Sequence, residues 1–438
     1  MMRKSSLTLF LLLLVSVPFL LLGTGSGRAD DRQDRDNGRV KGPVKLLKTI
    51  PVPVSAVNGT AGALYSFDIS FVDAATQTYY LADRSNKAID VIDAKNGTFL
   101  KQINRGGFTG VTFNAAGAAN NAKSGPNGVL ASGRWLFVGD AGSRLVVIDL
   151  TTDQIADTFL TAVSPNRANE IAYDPVGGVL LITNSNDSPP FFTLFSVNQN
   201  TGKLTFRAKT ILDLAHGVDA TNGTEQPVWN PGAGKFYLSI PELSGPGGTG
   251  PNGAIARIDP QSGAVEALFP VQFCQPGGLV VGPHQDLMIG CSVPFDTAGN
   301  AWSATDPNTA APISVIMDAR NGSIDKNVAG VSGSDEIWFN PGDGRYYLAA
   351  RNQPGGPVLG VIDAQSQTLS QVVPTLNVAG IPFVIPAATA HSVAANPHNN
   401  HVFVPLGANN VFPDCLNGCV AVYAHDVDED RDADGDRR

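Results

Sequence analysis

The sequence predicts an all-β protein, a seven-bladed β-propeller of four-stranded blades whose last blade is closed by an N-terminal strand. Three observations lead there: a strand phrase that recurs seven times, Asx-Pro turns set at matching points of the copies, and a composition suited to short strands. The 438 residues are only 16% charged but include 47 Gly and 30 Pro. That balance fits tight turns between short strands rather than helices. Copies recur every 45–60 residues or so, the spacing of stacked units that cannot bury a face alone. An all-strand unit of this size points to radial stacking.

The first copy reads Tyr79-Tyr80-Leu81-Ala82-Asp83, a polar stretch, then Ile89-Asp90-Val91-Ile92-Asp93. The second reads Leu136-Phe137-Val138-Gly139-Asp140, then Leu145-Val146-Val147-Ile148-Asp149. Inner strands start at Phe67-Asp68-Ile69, Pro126-Asn127-Gly128, Asn169-Glu170-Ile171, Glu225-Gln226-Pro227, Gly277-Gly278-Leu279, Asp335-Glu336-Ile337 and His391-Ser392-Val393. Four lead into Asp174-Pro175, Asn230-Pro231, Asn340-Pro341 and Asn396-Pro397. Pro fixes φ and an Asx side chain bonds its own backbone, so these dipeptides start hairpin turns. Third strands end on Ile-Asp or a variant, as at Asp259, Asp318 and Asp363. The seventh copy lacks an outer strand, whereas residues 44–50 form an orphan that resembles one. Pairing the two would join the chain ends and remove an exposed edge. Six blades with an irregular cap is the other arrangement the spacing allows.

Four segments follow. Residues 1–29 have the basic start, apolar core and small-residue site of a signal peptide. Residues 30–43 form a charged disordered linker, 44–424 the propeller and 425–438 a disordered acidic tail. Asp430, Asp432, Asp434 and Gly435 imitate the opening of a calcium loop, but the chain has no twelfth-position Glu, so a solvated tail is expected. Export to the periplasm or beyond is expected, as a monomer with no membrane span after cleavage. The cysteines pair locally in such a compartment, Cys274 with Cys291 and Cys415 with Cys419. A net charge of −9 without a basic patch argues against nucleic acid.

Tyr80-Leu81-Ala82-Asp83, the run from Asn86 to Asp93 and Asn96-Gly97-Thr98 resemble the repeat of YVTN-type, YncE-like propellers over residues 44–424. That resemblance implies the propeller fold and a ligand-binding or scaffold role for a small molecule or an envelope protein.

In a propeller, residues at inner-strand starts meet at one channel mouth. Asp68, Asn127, Glu170, Gln226, Glu336 and His391 therefore converge, while Gly278 leaves an opening. Converging carboxylate and amide oxygens suit a hard cation such as Ca²⁺. The pattern is similar to that of gluconolactonase-like propellers, which implies Asp68, Asn127, Glu170 and Glu336 as metal ligands. It also implies Glu170 and Glu336 as catalytic carboxylates of a divalent-metal lactone or ester hydrolase. His216, before the fourth inner strand, and Trp302, in a long insertion, are further binding candidates at that mouth. Insertions between second and third strands should rim it. No haem attachment, phosphate loop or Gly-x-Ser-x-Gly elbow occurs, so haem, nucleotide and serine-hydrolase chemistry are not expected.

Overall fold

The computed structural model describes residues 42–103, 107–220, 222–243, 250–303, 309–375 and 391–425. The signal segment, nearly all of the linker, the calcium-loop-like run and the tail beyond His425 lie outside these residues. His425 itself ends the last strand.

The described residues form 28 strands and three short 3₁₀ turns. Five sheets have four antiparallel strands; four of them are simple meanders, one of which runs Ser70–Asp73, Thr78–Asp83, Ala88–Asp93 and Thr98–Ile103. A sixth sheet of eight strands consists of two such meanders touching at a single parallel pair, Asn252 with Cys274. The innermost strands, from Ser70–Asp73 through Val129–Ser132, Ile171–Asp174, Pro227–Asn230, Cys274–Val281 and Glu336–Asn340 to Ala394–Asn396, neighbour one another in chain order. The last also neighbours the first. Several four-stranded sheets around common inner strands fit a β-propeller.

The turn chemistry explains why the repeat is legible. Asp174 Oδ1 accepts from Val176 N, Asn230 Oδ1 from Gly232 N, Asn340 Oδ1 from Gly342 N and Asn396 Oδ1 from His398 N, all at 3.0–3.2 Å. The Asp that ends each Val-Ile-Asp phrase does the same after the third strand. Asp93 caps Lys95 N, Asp149 caps Thr151 N and Asp259 caps Gln261 N. These carboxylates are turn formers, bonding backbone donors that the hairpin would otherwise leave open.

Between sheets the packing is apolar. Tyr79, Leu81 and Ile92 share one cluster with Phe403, Val420 and Val422, so the second and third strands of the first meander pack on the last sheet. Full burial of each such side chain stabilises by about 1.5–3 kcal/mol. Chain ends meet as the orphan strand suggested: Val44–Pro51 pairs antiparallel with Cys419–His425, Val44 opposite His425 and Pro51 opposite Cys419. Both expected disulfides are present, Cys274–Cys291 and Cys415–Cys419, with Cα separations of 5.0 and 4.9 Å.

Without Val44–Pro51, the strand Cys419–His425 becomes an unpaired edge. Deleting residues 42–51 should lower the melting temperature and produce concentration-dependent aggregation, read by thermal scanning and size-exclusion chromatography. An unchanged melt would mean that the pairing adds nothing to stability.

Candidate functional site

The inner-strand starts meet as expected, but in two layers with different chemistry. The outer layer is an ion cluster. Asp68, only 3% exposed, receives Arg84 Nη2 on Oδ2, with Arg167 Nη1 at 3.1 Å on the same oxygen. Arg84 Nε and Nη2 also donate to Asn127 Oδ1, at 3.0 and 2.6 Å, and Asn127 Nδ2 donates to Ala168 O at 3.1 Å. His391 lies between two carboxylates, with Nε2 2.8 Å from Asp68 Oδ1 and Nδ1 2.8 Å from Asp335 Oδ2. Arg351 Nη2 donates to Asp335 Oδ1 at 3.2 Å, and its Nη1 lies 2.8 Å from His391 Nδ1.

Charge states follow from these contacts. Burial pushes the Asp68 carboxyl up, yet Arg84, Arg167 and His391 outweigh it and hold it below the usual carboxylate range. Burial likewise opposes ionisation of Asp335, but Arg351 and His391 bring it down to about 2. Burial and Arg351 work against a charged His391; Asp335 and Asp68 prevail and raise its pKa above 6.5. Burial lowers Arg84 to about 10 despite Asp68, which leaves it cationic at neutral pH.

The inner layer holds Glu170, Gln226 and Glu336, which line a cavity of about 510 Å³ along the inner strands. Gln226 bridges the wall: its Oε1 accepts from Leu279 N at 2.6 Å and from Ile337 N at 3.4 Å. The opening expected at Gly278 is thereby spanned. A Cβ there would lie 2.6 Å from Ile337 Cγ1 and 3.0 Å from the Glu336 carbonyl carbon, so the two strands meet too closely for any side chain. Glu170 Oε1 accepts from Asn169 Nδ2 at 3.3 Å, whereas Oε2 has no partner among the described residues. Glu336, 3% exposed, faces the same cavity. Burial raises Glu336 well above the ordinary Glu range, with the charges of Glu170, Asp335 and Asp68 adding to it. Burial raises Glu170 in the same way, reinforced by Glu225, Asp335 and Asp68 against Arg167. Glu225, pushed up to about 7 by burial and Asp335, completes the acidic group.

Beyond the carboxyls the cavity turns apolar. Phe71, Tyr173, Trp229 and Trp338 line it, with Trp338 edge-on to Phe71 at 5.4 Å between ring centroids. Its lining reaches exposed Pro175 and Pro231 on the first-to-second-strand turns. The cavity therefore runs away from the ion cluster, toward the end opposite the one rimmed by second-to-third-strand insertions.

Six of the eight expected site residues, Asp68, Asn127, Glu170, Gln226, Glu336 and His391, come together across these two layers. His216 does not join them: it pairs with Asp213 at 2.6 Å and lines a separate hollow with Thr210 and Glu266. Trp302 also lies outside the channel lining, its indole N–H without a partner among the described residues. Asp68, Asn127, Glu170 and Glu336 do not make one oxygen cage, because guanidinium groups already engage Asp68 and Asn127. Among the described residues, no group of three or more His, Cys, Asp or Glu has the arrangement to hold a metal ion.

Arg84, Arg167, Arg351, Glu225 and Asp335 were not anticipated. A signal for two of the arginines was available in the repeat, since Tyr79-Tyr80-Leu81-Ala82-Asp83-Arg84 and Tyr346-Tyr347-Leu348-Ala349-Ala350-Arg351 place Arg at the same position. Both directly follow a second strand, Thr78–Asp83 and Arg345–Ala350.

No family model matches the chain, and no curated protein sequence matches it. Solved structures do. Hydrazine synthase of Kuenenia stuttgartiensis is similar with a TM-score of 0.59 at 12% identity, over 85% of this chain and 97% of that one. A chain of the mitotic checkpoint complex is similar with a TM-score of 0.55 at 10% identity, over 94% of this chain and 100% of that one. Both structures contain β-propellers, and at this identity the likeness concerns the fold alone.

Two outcomes follow for stability. Arg84→Ala leaves buried Asp68 and Asn127 without their main donor and should cost about 3–5 kcal/mol, read by denaturant unfolding. The pH response has a definite sign. Asp68 and Asp335 are depressed, so their contribution is present above 3.8 and lost as pH falls. Glu170 and Glu336 are raised, so above 4.5 the native state holds protons that the unfolded chain has released, and stability declines as pH rises. The contribution of raised His391 is complete below 6.5 and is lost above it. Melting temperature should therefore peak in mild acid, and a Glu170→Gln/Glu336→Gln variant should flatten the alkaline decline. Parallel curves for the variant and the parent across pH 5–9 would contradict this assignment.

Proposed function

We propose that this chain is an exported, monomeric, seven-bladed β-propeller of the YVTN type that binds a small molecule in its central channel. The observation that carries the reading is the cavity of about 510 Å³, apolar and aromatic along its walls with three polar side chains at its closed end. A mainly apolar recess with a few convergent polar groups is the usual form of a small-molecule site. Seven four-stranded units, counting each half of the eight-stranded sheet, and the closing N-terminal strand support the blade count. Two disulfides fit an oxidising compartment, and no helix among the described residues is long and apolar enough to cross a membrane.

The metal-dependent hydrolase reading draws less support. It needs oxygens from Asp68 and Asn127, and Arg84 donates to both. No catalytic step is assigned to the channel carboxyls on that basis.

An environment-sensitive apolar dye tests the binding reading. Its fluorescence should rise on entering the channel and should be lost in Val281→Trp, which fills the cavity. Trp338→Ala, which removes an aromatic wall, should weaken binding roughly tenfold. Dye binding that neither substitution alters would place the ligand elsewhere. Melts after EDTA treatment give the contrast: a large rise on restoring one divalent ion, absent in Glu170→Ala/Glu336→Ala, would favour the hydrolase reading instead.

A further inference from the structure

We propose that the channel takes an organic ammonium, a protonated amine on an apolar body, with its nitrogen at Glu170 and Glu336 and its body among Phe71, Tyr173, Trp229 and Trp338. This deepens the binding reading and rests on the channel being the binding site.

Unmet hydrogen-bonding capacity is the first argument. Glu170 and Glu336 are 5% and 3% exposed, and both line the cavity. Glu170 Oε2 has no donor among the described residues. A buried unsatisfied carboxyl oxygen is costly, so its presence beside a second buried carboxyl at the end of a cavity points to a donor supplied from outside.

The sign of that donor follows from the surrounding charges. Five carboxyls meet around the axis, on Asp68, Glu170, Glu225, Asp335 and Glu336. Facing them are the guanidiniums of Arg84, Arg167 and Arg351 and the imidazole of His391. Arg84 is engaged by Asp68 and Asn127, Arg351 by Asp335, and Arg167 by Asp68 and Asn186. The positive charge is thus concentrated on the outer layer: Arg167 and Arg351 act on the cavity-facing pair through space, but among the described residues no arginine or histidine forms an ion pair with Glu170 or Glu336. An anionic ligand could only accept from these acids in their protonated form, whereas a cation also gains from their ionised form.

The kind of cation follows from the walls. Ca²⁺ takes six to eight oxygens, and Gln226 Oε1, the remaining oxygen of the inner layer, already accepts from Leu279 N and Ile337 N. An ammonium has at most three hydrogens to place, which a pair of carboxyls can receive. Its body would displace water from apolar surface, and aromatic faces attract the charged end as it passes. Binding would release protons, since a cation favours the ionised form of carboxyls that burial keeps protonated. The charges of Glu225, Asp335, Asp68, Arg167 and Arg351 reach this pair and modulate the proton count.

Isothermal titration of the mature protein with 3-phenylpropylammonium, the neutral 3-phenylpropanol and the anionic 3-phenylpropionate tests the proposal. The ammonium should bind at least tenfold tighter than the alcohol, and the anion should not bind. Titration in two buffers of different ionisation enthalpy should show proton release for the ammonium alone. Its affinity should rise by up to tenfold per pH unit between 6 and 8. Glu170→Gln/Glu336→Gln should abolish the preference over the alcohol, and the proton count on the unaltered protein gives a readout that needs no variant. Equal binding of ammonium and alcohol, or no proton release, overturns the ammonium assignment and leaves the channel-binding reading standing. If none of the three probes binds, the ammonium assignment falls, and the dye experiment separately decides whether the channel binds anything.

Discussion

Everything at the channel depends on the pairing of the two chain ends. Val44–Pro51 completes the sheet of Ala394–Asn396, His401–Leu406 and Cys419–His425. That sheet packs on the first meander through Phe403, Val420 and Val422. With the ring of sheets so completed, His391 lies 2.8 Å from Asp68, 323 positions away in sequence. The same closure brings Ser392 Oγ to 2.8 Å from Ser70 N. A local strand pairing therefore governs contacts that no local sequence determines.

Once the inner strands converge, electrostatics decides what they can hold. Bringing carboxyls together near the axis is unfavourable unless each is paired, protonated or bound to a cation. The protein uses two of these solutions in adjacent layers. Asp68 and Asp335 are ionised against arginine and His391, whereas Glu170 and Glu336 are shifted toward the protonated form. The outer layer closes one end of the channel with fixed charges. The inner layer leaves two acids facing an apolar recess, and that asymmetry gives the cavity one polar end and one open aromatic end.

Several parts of the site were legible and others were not. Convergence of Asp68, Asn127, Glu170, Gln226, Glu336 and His391 could be read because each stands at the start of an inner strand, and radial stacking brings such positions together. Their partners were harder to see. Arg84 and Arg351 stand just past the ends of second strands, outside the positions compared, although their shared place in the repeat marks them. Arg167 carries no such mark, and it joins Asp68 through a contact spanning 99 positions. His216 was drawn toward the channel by its place before an inner strand. A short turn, Leu214–His216, holds it by Asp213 instead.

The sequence by itself determined the strand repeat, the Asx turns, the two short-range disulfides and the closing strand, because each rests on backbone preferences or contacts between matching repeat positions. Tertiary structure alone decided which charged groups neutralise one another, which acids remain unpaired and which end of the channel opens. Those outcomes depend on distances of a few ångströms between side chains far apart in the chain. Coulomb energy and desolvation change steeply over such distances, whereas the repeat records only the level at which each side chain stands.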